Sequence, residues 1–311
     1  MKATKLLPIL AVVLCVPGIA LRALHLLNGF DVSTGLPTAG DKWIWFVIAL
    51  FAISAIVYAV LALPLKTRNK VPFEQLLGTK ETLFRMAAVV AGLIVAAGSL
   101  VYLYLTITTA EQDVAAWARV LEIVYAIMGV LTGGCMIGLA KAQGVPMTEK
   151  SAAMTLVPLF WSCLHLLVNY RMTCTDPKLA SFGFGLVADV MIVLAFYELA
   201  RLLFGKPAPA MLAFFAAVAV TMSVSDIGGY GLAMLMGIPS MWSIKWCCVA
   251  FWLQQRALCW LLSCSACAAR TQRRRQPRIN RGGHRNAVCM LSQMLDLPEG
   301  EDVAAGARRG V

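Results

Sequence analysis

WIWFVIALFAISAIVYAVLALPL, residues 43–65, runs for 23 residues without one charged side chain. An α-helix needs about 20 apolar residues to cross roughly 30 Å of hydrocarbon, and soluble domains do not carry uniform apolar stretches of that length. Six further runs of the same character flank it. The spans read from the sequence are Leu6–Leu27, Trp43–Leu65, Leu83–Thr108, Val114–Ala140, Ser151–Tyr170, Lys178–Phe204 and Ala210–Leu235. The reading is an all-α polytopic transmembrane helix bundle with seven spans and a flawed eighth, Trp246–Ala269.

Composition agrees. Hydrophobic residues make up 60% of the 311 and charged residues 14%, too greasy for a solvated surface around a core. The net charge of +11 is uneven: residues 1–245 carry 17 basic against 12 acidic side chains, and residues 246–311 carry 10 against 4. In a chain of apolar spans such an excess reads as a topology signal, with the lipid bilayer as partner and no nucleic acid implied. The ten cysteines do not form a disulfide pattern, since Cys15, Cys135 and Cys163 fall inside apolar runs. Lys2 and Lys5 before an apolar stretch resemble a signal peptide's start. No small-x-small cleavage site precedes Arg22, so the segment is read as a retained first helix.

Punctuation between the runs has mechanism. Asp41 can cap the second helix and Pro64 ends it. Thr109 with Gln112 makes a capping box for the fourth. Asp176-Pro177 opens the sixth with a cap and a first-turn proline, and Pro207 and Pro209 separate the sixth from the seventh. Lys66, Arg68, Lys70, Lys80 and Arg85 mark one loop, Lys141 and Lys150 the next alternate one, and Arg201 and Lys206 the third. The positive-inside rule places these in the cytoplasm together with the N-terminus. Trp43, Trp45, Tyr102, Tyr104, Trp117 and Tyr170 then fall near the outer ends, as an aromatic belt does.

The chain changes character after about Lys245. Residues 1–245 use 11 Lys and 6 Arg, whereas residues 246–311 use no Lys and 10 Arg, with 6 of the 10 cysteines. Gln254, Gln255 and Arg256 sit at the middle of the eighth apolar stretch, where an arginine alone costs roughly 2.5–3.5 kcal/mol. If the segment crosses, the seven arginines from Arg270 to Arg285 are cytoplasmic and suited to anionic lipid head groups. If it does not, they end up outside, against the charge rule. A third explanation is a stretch read out of frame or otherwise degenerate. Cys264, Cys267, His284 and Cys289 imitate a zinc spacing here, and the region is expected to contribute no site. The division is thus a helical domain, 1–245, and a separate tail, 246–311.

Ionisable groups inside apolar spans are costly, and by default they mark function or helix–helix glue. Arg22 and His25 lie in the last turns of the first helix, Arg119 and Glu122 in the early turns of the fourth, and His165 and Asn169 in the last turns of the fifth. Asp189 lies near the middle of the sixth and Asp226 near the middle of the seventh. All fall at mid-depth or in the outer half. The functional reading is an outward-facing polar site for a small-molecule ligand, built by Arg22, His25, Arg119, Glu122, His165, Asp189 and Asp226. The ordinary reading is interhelical ion pairing and snorkelling at helix ends. Glu198 and Arg201, at the inner end of the sixth helix, read as a snorkelling pair. The stretch Ser223 to Gly231, with Gly228, Gly229 and Gly231, permits either a broken helix lining a cavity or close packing. No catalytic, cofactor or metal motif is present, and phosphate-binding loops and nucleophile elbows are missing.

Arg22 to Asp31, RALHLLNGFD, continuing to Thr34-Gly35-Leu36-Pro37, resembles the first helix and first outer loop of a group of uncharacterised polytopic membrane proteins of anaerobic bacteria. The resemblance implies a bacterial plasma (inner) membrane location and no particular activity. Gly29, Gly35 and Pro37 make that loop a turn-rich cover for the outer end. Three function classes follow in order: binding or transport of a small polar solute, a non-catalytic scaffold or sensor, and an intramembrane enzyme using His165 and the aspartates for acid–base work. Reporter fusions after Lys70, Lys150 and Lys206 should report cytoplasm, and fusions after Gly35, Gln112 and Asp176 the outside. A cytoplasmic signal at Asp176 would overturn the fourth and fifth spans.

Overall fold

Each of the first seven apolar runs becomes one helix, as a chain in hydrocarbon must satisfy every backbone amide internally. The computed structural model describes residues 3–31, 36–68, 82–108, 116–142, 152–174, 179–206 and 208–236. Among them the helices are α1 (Ala3–Asn28), α2 (Trp43–Ala62), α3 (Thr82–Thr108), α4 (Ala116–Ala142), α5 (Leu156–Thr173), α6 (Leu179–Leu203) and α7 (Pro209–Leu235). A short 3-10 turn, Leu63–Arg68, follows α2 where Pro64 removes a helical donor. No strand occurs among the described residues. The capping box at Thr109, the Asp176-Pro177 cap, the eighth apolar stretch and the arginine-rich tail lie outside them.

Five helices are long and apolar enough to cross a membrane, over Leu6–Asn28, Trp43–Leu65, Ala88–Thr108, Ala116–Ala140 and Pro209–Leu235. The pair outside that set, α5 and α6, carry His165, Asn169 and Asp189. Exposure is the reverse of a water-soluble protein's. Trp45 and Val16 are about 70% exposed, while Arg22 is 0% exposed. An apolar outside and a charged inside fit a bundle embedded in a membrane.

The helices pack in the order α3 on α4, α4 on α5, α5 on α6, α6 on α7 and α7 on α1, with α2 against both α1 and α7. α7 is the most enclosed. Ala213, Ala216, Ala217, Ala219, Ser223 and Ser225 are all buried on it, and small side chains let neighbouring backbones approach. Leu7 and Ala11 of α1 share a core with Ala213 and Ala217 near the start of α7, while Leu26 and Phe30 meet Ala233 near its end. The two helices therefore run parallel. Tyr58 of α2 hydrogen-bonds Thr221 of α7 at 2.8 Å between hydroxyls.

At the glycine-rich stretch the two options resolve. α7 continues unbroken through Gly228, Gly229 and Gly231. A side chain on Gly228 would collide with Ile19, and one on Gly229 with the Arg22 stem, so these glycines admit α1. Gly133 does the same between α4 and α3, where a Cβ would lie 2.5 Å from the Gly92 carbonyl oxygen. Gly134, its neighbour, faces open space. Gly133→Leu should therefore lower stability by about 1–3 kcal/mol, the usual cost of overpacking, while Gly134→Leu should leave the melting temperature of the purified protein unchanged. Equal losses in both variants would contradict the α3–α4 contact.

Candidate functional site

Arg22 is the deepest charge. The last turns of α1 place its guanidinium against α7, where Nε donates to Asp226 Oδ1 at 2.8 Å with both side chains buried. Two aromatic faces close over it, Phe184 of α6 at 4.7 Å and Tyr230 of α7 at 5.3 Å from the ring centroids. A cation held between rings out of water gains about 2 kcal/mol or more per contact. Arg22 Nη1 lies 2.7 Å from His25 Nδ1. A guanidinium only donates, so Nδ1 is the bare nitrogen and His25 carries its ring hydrogen on Nε2. That nitrogen faces Asp41 Oδ2 at 3.3 Å. Asp41 in turn accepts the Trp43 amide through Oδ1 at 2.8 Å, from one residue before the N-cap position, which Lys42 holds without a side-chain cap bond. Asp226, Arg22, His25 and Asp41 thus form one continuous chain across α7, α1 and the start of α2.

The first loop covers this chain. Its two ends pair through Asp31 N–H to Leu36 O and Thr38 N–H to Gly29 O, both 2.9 Å. Phe30 turns inward, its ring edge-on to His25 at 5.2 Å. Gly29 is obligatory there, since any Cβ would strike Asp41 and the His25 ring.

A second chain lies on α4, α5 and α6. His165 Nδ1 is 2.9 Å from the Tyr125 hydroxyl, and its Nε2 faces Asp189 Oδ2 at 3.7 Å, too far for a hydrogen bond. The same Asp189 oxygen accepts from Asn169 Nδ2 at 2.7 Å. Trp161 stacks parallel on Tyr125 at 5.9 Å, and Tyr102 meets Tyr125 edge-on at 5.4 Å. One turn above, Arg171 Nη1 reaches Glu122 Oε1 at 3.4 Å while lying 4.8 Å over the Trp117 ring. The buried polar atoms His165 Nε2 and Ser225 Oγ make no hydrogen bond among the described residues.

Of the seven residues singled out from the sequence, six fall in these two chains: Arg22, His25 and Asp226 in one, Glu122, His165 and Asp189 in the other. Arg119 does not join them. It stays half-buried, and no ion pair to it occurs among the described residues. Convergence of His25, His165, Asp189 and Asp226 on one point does not occur, and no group of three metal-ligating side chains gathers among the described residues. Glu198 and Arg201 pair at 2.8 Å with Arg201 partly exposed, as expected of a snorkelling pair. Sequence reasoning missed Tyr125, Trp161, Phe184 and Tyr230. Three of these had a signal, lying three or four residues from Glu122, His165 and Asp226 and so on the same helix face.

No protein-family profile, curated protein or solved structure matches the chain. Chemistry alone must speak for the site.

Removing one partner of a buried ion pair strands the other. A membrane-buried hydrogen bond contributes only about 0.6 kcal/mol on average, but a fully enclosed charge left unpaired costs about 3–5 kcal/mol. Because Arg22 has no exposure, the second figure should govern. Asp226→Leu should lose about 3 kcal/mol or more in reversible unfolding, and Arg22→Met with Asp226→Leu should recover most of it. A double variant as unstable as the single one would show that the pair is not the source of the loss.

Proposed function

We propose that the protein is a multi-pass bacterial plasma-membrane protein, its N-terminus cytoplasmic, whose seven spans build an outward-facing site that binds a small polar solute and carries it across. The observation that supports this reading is the number of buried ionisable groups contributed by α1, α4, α5, α6 and α7, all but Glu198 at mid-depth or in the outer half of the proposed topology. A bundle needing only cohesion would obtain it from close packing of small residues, as α3 and α4 do at Gly92 and Gly133. Arg22, Asp226, His165 and Asp189 instead sit in neighbouring helices where a solute's own charge or hydroxyls can exchange with their internal partners. Intramembrane charges that face a bundle interior commonly line such paths.

A second reading, a scaffold or sensor without transport, draws on the pairing itself. Arg22 with Asp226, Arg171 with Glu122 and Arg201 with Glu198 are matched inside the protein. Thermal stability of the purified protein against amino acids, amines, organic acids and polyols separates the two. A ligand at 100 times its Kd adds about 2.7 kcal/mol, so at least one compound should raise the melting temperature by several degrees, and Asp226→Asn should abolish that rise. A folded protein that no compound stabilises supports the scaffold.

A further inference from the structure

The two buried histidines differ in one respect that decides what each can do. His25 Nδ1 receives a hydrogen bond from a guanidinium at 2.7 Å. Adding a proton there would set N–H against N–H, so His25 cannot become charged while Arg22 remains in place. His165 has the opposite environment. Its Nδ1 partner is the Tyr125 hydroxyl, which donates to a bare nitrogen or accepts from a protonated one with equal ease. Its Nε2 makes no hydrogen bond among the described residues and points at a carboxylate oxygen 3.7 Å away. A shift of under about 1 Å would convert that approach into a charge-assisted hydrogen bond.

We propose that His165, facing Asp189, is the proton-binding site of this bundle, and that solute movement is coupled to protons. The coupling half of this proposal rests on the transport reading above; the proton site does not. The step is simple. A hydronium ion gives its proton to the bare nitrogen of the neutral imidazole, its O–H bond breaking to leave water, so that both ring nitrogens carry hydrogen. The Tyr125 hydroxyl turns its own hydrogen away to accept from Nδ1–H, and Nε2–H donates to Asp189 Oδ2. No covalent bond within the protein breaks, and loss of the proton to water reverses the step.

Among the described residues, polar and charged groups meet the ring from three helices. From α4 it faces Tyr125, with Glu122 one turn away and engaged by Arg171 of α5. From α6 it faces Asp189. On α5 itself Asn169 holds the Asp189 oxygen in line. Behind Asp189, on α7, Asp226 lies within electrostatic reach of it and is bonded to Arg22. A positive charge at His165 therefore alters the field at Asp189 and, one helix further on, at Asp226. Buried histidine–carboxylate pairs inside membranes are a standard form of proton relay.

The chain has three histidines, His25, His165 and His284, so their ring nitrogens can be resolved in full-length protein labelled with nitrogen-15 histidine and reconstituted in phospholipid vesicles. Signals are assigned with His25→Gln and His284→Gln. Between about pH 8 and about pH 5, the window in which an imidazole ordinarily changes charge, His165 should pass from the two-signal neutral pattern to the charged pattern. His25 should keep the neutral pattern throughout. In Asp189→Asn the His165 transition should leave the window. A wild-type His165 ring unchanged across the window overturns the proposal, as does a His25 ring that titrates in its place. The same samples, heated with the solute panel, keep the readings apart. A titrating His165 in a protein that no solute stabilises preserves the proton site and sinks transport; solute stabilisation with a silent His165 sinks the proton site alone.

Discussion

The bond between Arg22 and Asp226 is the constraint around which the described helices are arranged. A guanidinium within an apolar bundle is costly, up to roughly 2.5–3.5 kcal/mol at a helix centre even on the mildest insertion scales. It is tolerable only if a carboxylate meets it and dry polarisable surfaces surround it. That requirement fixes α1 beside α7 in parallel, with Asp226 level with Arg22. It also fixes the small residues between them, since Gly229 and Gly228 must admit the Arg22 stem and Ile19. Phe184 is set by the same need, because a second aromatic face on the guanidinium must come from α6. Three helices are thus located by one cation.

What the sequence made legible follows from how much of each feature is local. An apolar run of 23 residues has one solution in hydrocarbon, so every described helix lies within a few residues of its expected bounds: α3 opens at Thr82 where Leu83 was expected, and α7 at Pro209 where Ala210 was. Asp41 is legible in part for the same reason, since its bond to the Trp43 amide is a relation between neighbours, although Lys42 holds the N-cap position. The start of α5 is the largest discrepancy. A turn at 154–155 precedes Leu156, whereas the helix was expected from Ser151; Thr155 bonds back to the Ala152 carbonyl through both its amide and its hydroxyl, and such local hydrogen bonds compete with the helical ladder.

Pairing across helices was not legible, and the reason is geometric. In a soluble helix an apolar stripe declares which face is inward. α2 has no such stripe: Val47, Ser54, Tyr58 and Ala62 are buried, while Ile53, Ile56 and Val60, equally apolar, are exposed. Without faces, the order of helices around the bundle cannot be read, and without that order Arg22 has several candidate carboxylates. Asp41 was assigned only a cap, yet it pairs with His25, and Arg171 closes a second pair with Glu122. The charged residues announced themselves by their cost; their partners were settled by packing. Arg119, equally costly by sequence, is half-buried and took no ion-pair partner among the described residues.

The sixth helix connects the two polar chains, and its spacing explains how. Phe184 and Asp189 are five residues apart, which at about 100° per residue turns them roughly 140° from each other around the axis. Phe184 therefore faces α1, lying on Arg22 and edge-on to His25, while Asp189 faces α5 and His165. The axis between them leaves no room for independent adjustment. A rotation of α6 that improves the Asp189 approach to His165 necessarily changes the cover over Arg22, because both side chains ride on one rigid element and interiors packed at this density are not continuously deformable. Charge on one side of α6 and aromatic contact on the other are thus two readings of a single helix position.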